Sequence, residues 1–293
     1  MDPVLDNGML YAVIGAIVWG YFLFLNKHRF GHVPSTVFMM LTFASAASWY
    51  VLVSLVSGMS VTVPAKYSLP HWLFIFGTVT TLAAGLLILF HSIKIGQVSY
   101  VAPISKITPV FVLPFEVLFL NEQLTTFQML GVGLATLAVY IANYRGGNPS
   151  TPILKATTYR PAQLALLSAF VLAILNVAQR VVLQELAFPT TTWVILKLGG
   201  TAIILSPLAI RDWRSEFYED LPKLVSAGVI LIIGEHFIAL TFAKIPASIA
   251  SPILSIQAII AVLLGGIVLN EENLRIRLAA AVIAVLGVGL IAA

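Results

Sequence analysis

Residues 94–103 read Lys94-Ile-Gly-Gln-Val-Ser-Tyr-Val-Ala-Pro103, and residues 244–252 read Lys244-Ile-Pro-Ala-Ser-Ile-Ala-Ser-Pro252. Eighteen and nineteen residues beyond each proline stand an asparagine and a glutamate, in Leu120-Asn121-Glu122 and again in Leu269-Asn270-Glu271. The two lysines sit upstream with a one-residue offset. Further back, Val33-Pro34-Ser35-Thr36 and Phe188-Pro189-Thr190-Thr191 each open an apolar run. Landmarks recurring in the same order mark an internal repeat, and the repeat organises everything else in the chain.

The units of that repeat are apolar helices. Of 293 residues, 59% are hydrophobic and 10% charged, where a soluble domain carries about 25% charged residues. Breaking the chain at its polar and Pro/Gly clusters leaves ten runs, near 8–25, 35–57, 70–93, 98–119, 124–143, 161–184, 189–209, 222–243, 248–269 and 274–293. Each approaches the length of about twenty residues that a hydrocarbon core about 30 Å thick requires. Barrel strands would alternate polar and apolar residues, whereas residues 82–90 are continuously apolar. Asp2 and Asp6 precede the first run in place of a basic region, so it reads as a retained helix and not a cleaved leader. The expected fold is an all-α polytopic membrane protein with ten transmembrane helices.

The longest connection, 143–160, holds Gly146, Gly147, Pro149 and Pro152 and reads as a linker. It divides the chain into a first five-helix repeat at 1–145, a linker at 146–157 and a second repeat at 158–293. Five is odd, so the second copy enters the membrane upside down relative to the first. Inverted repeats of this kind build many secondary transporters, with the binding site near mid-membrane between the halves.

The Lys94-to-Pro103 segment, Pro109, the Leu120-Asn121-Glu122-Gln-Leu-Thr turn with Gln128 and Gly131, their counterparts from Lys244 to Glu271, and Trp19-Gly20 together resemble the drug/metabolite transporter superfamily. The likeness is to its ten-helix branch, made of two EamA-type domains, and covers nearly the whole chain. The resemblance implies a proton-driven or exchange transporter, in a family whose members move amino acids, nucleotide-sugars, phosphorylated sugars or drugs. Arg275 and Arg277 after the second acidic turn, and the lack of a basic tail, depart from the family pattern.

Connections after odd-numbered runs carry eleven basic residues, among them Lys27, Arg29, Arg145, Arg211 and Lys223, against Lys66, Lys244 and Arg180 on the other side. The positive-inside rule then places both termini outside. The family resemblance implies termini in the cytoplasm, and the two readings stand side by side.

Three charges lie deep within runs: Lys106, Lys197 and Glu235. An ionised group at mid-bilayer costs roughly 2.5–3.5 kcal/mol on insertion scales, so each needs a reason. Lys197 is eight residues from the start of its run and Glu235 eight from the end of its own, which puts both about 12 Å deep from the same face. They form either a structural ion pair or part of a functional cavity. Lys106 lies at similar depth from the opposite face and is expected to line a cavity with the runs bearing Pro103 and Pro252. His236 is a second titratable group beside Glu235 or a packed neutral histidine. Trp19, Asn176, Gln179 and Gln257 can hydrogen-bond a solute or a neighbouring helix. Glu116, close to a helix end, reads as interfacial, and Glu122 as part of a tight turn.

The zero cysteines exclude a disulfide framework and a thiolate metal site. The scattered basic residues lack the clustering of a nucleic-acid surface, so no nucleic-acid partner is expected. No P-loop, His-Glu-x-x-His or Gly-x-Ser-x-Gly occurs, and the paired Gly-Val-Gly segments at 131–133 and 287–289 read as helix-packing surfaces. No cofactor is expected. The function expected is secondary transport of small polar metabolites by alternating access, with protons as candidate coupling ion, in the cell membrane, as a monomer or homodimer. The competing reading is an intramembrane enzyme or lipid-head-group-handling protein using Lys197, Glu235 and His236.

Overall fold

The computed structural model describes residues 3–63, 65–95, 105, 107–143, 158–257, 259–260, 263–264, 279, 282–283, 286–287 and 290. Among them the ordered elements are helical: α1 (Pro3–Arg29), α2 (Ser35–Val56), α3 (Leu69–Ile95), α4 (Thr108–Leu120), α5 (Thr126–Asn143), α6 (Arg160–Arg180), α7 (Thr190–Arg211), α8 (Leu221–Phe242) and α9 (Ala247–Ser255). A π-helical turn, Val181–Glu185, extends α6, and a 3₁₀ turn, Ser215–Asp220, leads into α8. Among the described residues six segments are long and apolar enough to cross a membrane: Asn7–Asn26, Ser35–Val56, Leu69–Ser92, Arg160–Glu185, Thr190–Arg211 and Ser215–Phe242. The chain is an integral, multi-pass membrane protein. Most of the expected tenth span, and Pro103 and Lys106 of the fourth, lie outside the described residues.

Proline sets where these helices begin. Pro34, Pro189 and Pro246 each hold an extended ψ immediately before α2, α7 and α9, and Pro161 and Pro222 occupy first-turn positions in α6 and α8, where a missing N–H costs nothing. Asn121 ends α4 in the left-handed region, at φ 51°, a C-terminal stop that asparagine tolerates better than most residues.

The helices pack as α1 on α8, α2 on α7, α3 on α6, α2 on α8 and α3 on α7, with α9 against α1, α4 and α5. The direction of two of these pairs can be read from their side chains. At one end of the α2–α7 pair, Thr36 donates to Asp212 at 2.8 Å, and at the other Thr192 donates to the Thr62 carbonyl at 2.9 Å, so the pair is antiparallel. In the α4–α9 pair, Glu116 near the end of α4 meets Ala247 and Ser248 at the start of α9, and this pair is antiparallel too. We call the membrane face at which α1 begins the N face; α4, α6 and α8 end there, and α7 and α9 begin there.

Glycines mark the closest crossings. A Cβ on Gly20 would lie 2.7 Å from the Gln257 carbonyl oxygen and 2.7 Å from Ile260 Cβ, so α1 meets the chain just beyond α9 with no room to spare. Gly20→Ala is expected to destabilise the fold by about 1–3 kcal/mol, the usual cost of overpacking, read as a lower Tm of the detergent-purified protein. An unchanged Tm would show that the chain at Gln257 and Ile260 yields freely at this contact.

Candidate functional site

A buried polar cluster lies about 10 Å below the N face, taking 1.5 Å of rise per helical residue. Lys197 occupies the eighth position of α7 and Glu235 stands one residue after Gly234 in α8. The Lys197 ammonium pairs directly with Glu235 Oε2. It also donates to Gln179 Oε1 at 2.8 Å, and that oxygen accepts a second bond from Trp193 Nε1 at 3.3 Å. Glu235 Oε1 accepts from Trp19 Nε1 at 2.9 Å. The result is a chain, Trp193, Gln179, Lys197, Glu235, Trp19, spanning α6, α7, α8 and α1.

Why Trp19 reaches Glu235 is visible in the packing. Gly234 lets the indole approach α8 closely, since a Cβ there would sit 2.8 Å from Trp19 Cδ1. Trp19 is the first half's contribution; Gln179, Lys197 and Glu235 all come from the second. Lys197 and Glu235 are 3% and 4% exposed, so the pair is buried within the protein. Buried opposite charges attract strongly in a low dielectric, but their desolvation offsets that gain, and a buried pair is weak evidence for stability alone. What it supplies is competition: a proton or a cationic group can take Lys197's place at Glu235, and an anionic group can take Glu235's place at Lys197.

The other expected site residues are dispersed. His236 turns away from Glu235 toward α2, where its Nδ1 lies 2.6 Å from the Tyr50 hydroxyl. Successive residues on a helix point about 100° apart, which sends neighbours in sequence to different helices. Asn176 donates to Ser251 Oγ at 3.0 Å and ties α6 to α9. Gln257 lends its backbone carbonyl to the contact with Gly20. Lys106 falls outside the described residues.

A second charged cluster was not anticipated as such. Glu116, expected at the interface, is fully buried. Its Oε1 accepts from Arg180 Nη1 at 2.6 Å and from the Ala247 N–H at 2.7 Å, and its Oε2 accepts from the Ser248 N–H at 2.6 Å. Arg180 Nη2 reaches Glu122 at 2.7 Å, and its Nε reaches Gln184 at 3.0 Å. Gln184 then donates to the carbonyls of Phe242 and Ile245, at 2.8 and 3.0 Å. Glu116 therefore caps α9 from α4, with the positive end of the helix dipole and a guanidinium both meeting one carboxylate. Asn176, Gln179, Arg180 and Gln184 follow helical spacing, so α6 carries one polar seam from the Lys197 cluster to the N face.

Comparison with known proteins agrees with this architecture. The EamA-like transporter family matches residues 6–144 and 160–293. A curated relative described as an uncharacterized transporter in the cobO 3′ region of Sinorhizobium sp is 38% identical over 74 residues, covering 24% of this chain and 52% of the relative. The chain spans about half the length of that relative. A solved crystal structure superposes at a TM-score of 0.77 over 97% of this chain and 98% of its own, at 15% identity, which shows a shared fold. With both five-run segments matched by the same family, the chain belongs to the EamA-like transporter family.

Proposed function

We propose that this protein is a secondary transporter of small polar solutes, built from ten helices in two inverted five-helix repeats (1–145 and 158–293) that rock about a central site. Its substrate and coupling site comprises Glu235, Lys197, Gln179 and Trp19, protons are the coupling ion, and the membrane is that of the cell. The observation that carries this reading is the Lys197–Glu235 pair held at depth by groups from both halves.

The packing supports the inverted repeat. Exchanging α1 with α6, α2 with α7, α3 with α8 and α4 with α9 turns the α1–α8 contact into α6–α3, and α2–α8 into α7–α3, both of which occur. The same exchange holds between residues. Gly234 against Trp19 answers to Gly85 against Leu172, and Gly228 against Ser45 answers to Gly200 against Val79. The glycine pair 85 and 234 has the 149-residue separation of Pro103 and Pro252, and the pair 45 and 200 has the 155-residue separation of Pro34 and Pro189. Equivalent helices α2 and α7, and α4 and α9, run antiparallel, as a two-fold axis in the membrane plane requires. The frame is symmetric and the charges are not: position 86, the counterpart of Glu235, is Leu86.

Thermal stability of the purified protein screened against amino acids, nucleosides, sugar phosphates and polyamines tests the substrate class. A true substrate at a hundredfold excess over its Kd stabilises the fold by about 2.7 kcal/mol, and the same compound should enter liposomes containing the protein. Uptake of a compound with Lys197→Met equal to that with the unaltered protein would remove Lys197 from the site.

A further inference from the structure

We propose that Glu116, Arg180 and Glu122 form a charge lock that closes the N face over the Lys197–Glu235 cluster, and that this lock must part when the N face opens. The inference rests on the transporter reading above and adds to it the identity of one gate. Four observations carry it. The lock joins the halves, since Glu116 and Glu122 belong to α4 and the turn after it while Arg180, Ala247 and Ser248 belong to the second half. It gathers the ends of α4, α6 and α8 and the start of α9 at a single place on one face. It is tied to the transport cluster through α6, because Arg180 follows Gln179, the residue that holds Lys197, toward the N-face end of that helix. Its outer arm is accessible, with the Glu122 side chain 23% exposed while Glu116 is sealed.

One guanidinium bridging two carboxylates, with one Nη on each, gives a closed state held by charge-assisted hydrogen bonds. α6 is also suited to releasing it. Just beyond Arg180 the helix widens into the π-helical turn Val181–Glu185, an arrangement that recurs at functional sites because the extra residue can be taken up or given back. Glu116 can keep its bonds to the α9 N-terminus while Arg180 leaves, so the cap and the lock are separable.

The chain has no cysteine, so a single reporter thiol answers the question directly. Ala250 is buried in the first turns of α9, three residues beyond the Ala247 N–H that Glu116 holds. In Ala250→Cys protein reconstituted in liposomes, labelling by a membrane-impermeant thiol reagent applied to the N face reports opening without reference to any solute. Adding Glu122→Gln, or Arg180→Lys, is expected to raise the labelling rate about fivefold, the population shift that one partly exposed charged hydrogen bond controls. Labelling at the parent rate in folded Glu122→Gln and Arg180→Lys proteins would overturn the lock and leave a static cap. If Arg180→Lys does not fold, Glu122→Gln decides alone, because it removes only the half-open arm. The transporter reading is judged by flux and not by labelling, so either can fail without the other.

Discussion

Glu235→Gln is expected to insert and fold, yet to lose gradient-driven solute accumulation by about a hundredfold or more while solute exchange persists. Gln keeps the oxygen that accepts from Trp19 Nε1 and nearly the same shape, but it cannot take up and release a proton. Lys197 would retain Gln179 as a partner at 2.8 Å, so it is not wholly stranded. If the pair were only structural, the outcome would differ in two ways. The single variant would be destabilised by about 3–5 kcal/mol, the cost of leaving one buried charge without its mate, and the double variant Glu235→Gln, Lys197→Met would recover stability with uptake intact. Uptake under an imposed pH gradient, measured with Tm for the single and double variants, separates these cases. Full proton-driven uptake in the double variant would end the coupling role.

The largest effect on stability is expected at Glu116. Glu116→Ala removes the partner of a buried arginine and leaves the Ala247 and Ser248 N–H groups without their acceptor. Breaking a buried pair costs about 3–5 kcal/mol, and losing a helix cap about 1 kcal/mol more. Against a total stability of about 5–15 kcal/mol, the variant should yield little folded protein in detergent. Glu116→Gln, which keeps an acceptor for one N–H, should be milder, and Glu122→Gln should cost about 1 kcal/mol or less because its group reaches water. Equal Tm for Glu116→Ala and the unaltered protein would show that α9 is capped by something else.

Much of this was legible in the chain, for identifiable reasons. Pro103 and Pro252, with Asn-Glu at one spacing, are covalent landmarks, and a repeat survives in sequence wherever it sets where helices start and stop. Lys197 and Glu235 could be matched because depth along a helix follows from residue count alone. Partner choice between helices distant in sequence does not. His236 meets Tyr50, 186 residues away, and nothing in the spacing of α8 says which neighbour faces which side. Arg180 and Glu116 were misplaced for a related reason: nearness to a helix end suggests water, but the ends of α4 and α6 are covered by the start of α9. The spacing of Asn176, Gln179, Arg180 and Gln184 in an otherwise apolar helix is a signal from which the polar seam could have been read.

Passage of an unaltered polar solute through the proposed Lys197–Glu235 site is open to measurement in liposomes. The most direct measurement places a labelled solute, chosen by its thermal stabilisation of the protein, outside liposomes preloaded with the same unlabelled solute. Its appearance inside is then followed, with chemical identity checked at the end. Entry of intact solute well above protein-free liposomes is expected, with entry near that background for Lys197→Met. Chemically altered product, or entry unaffected by Lys197→Met, would contradict it.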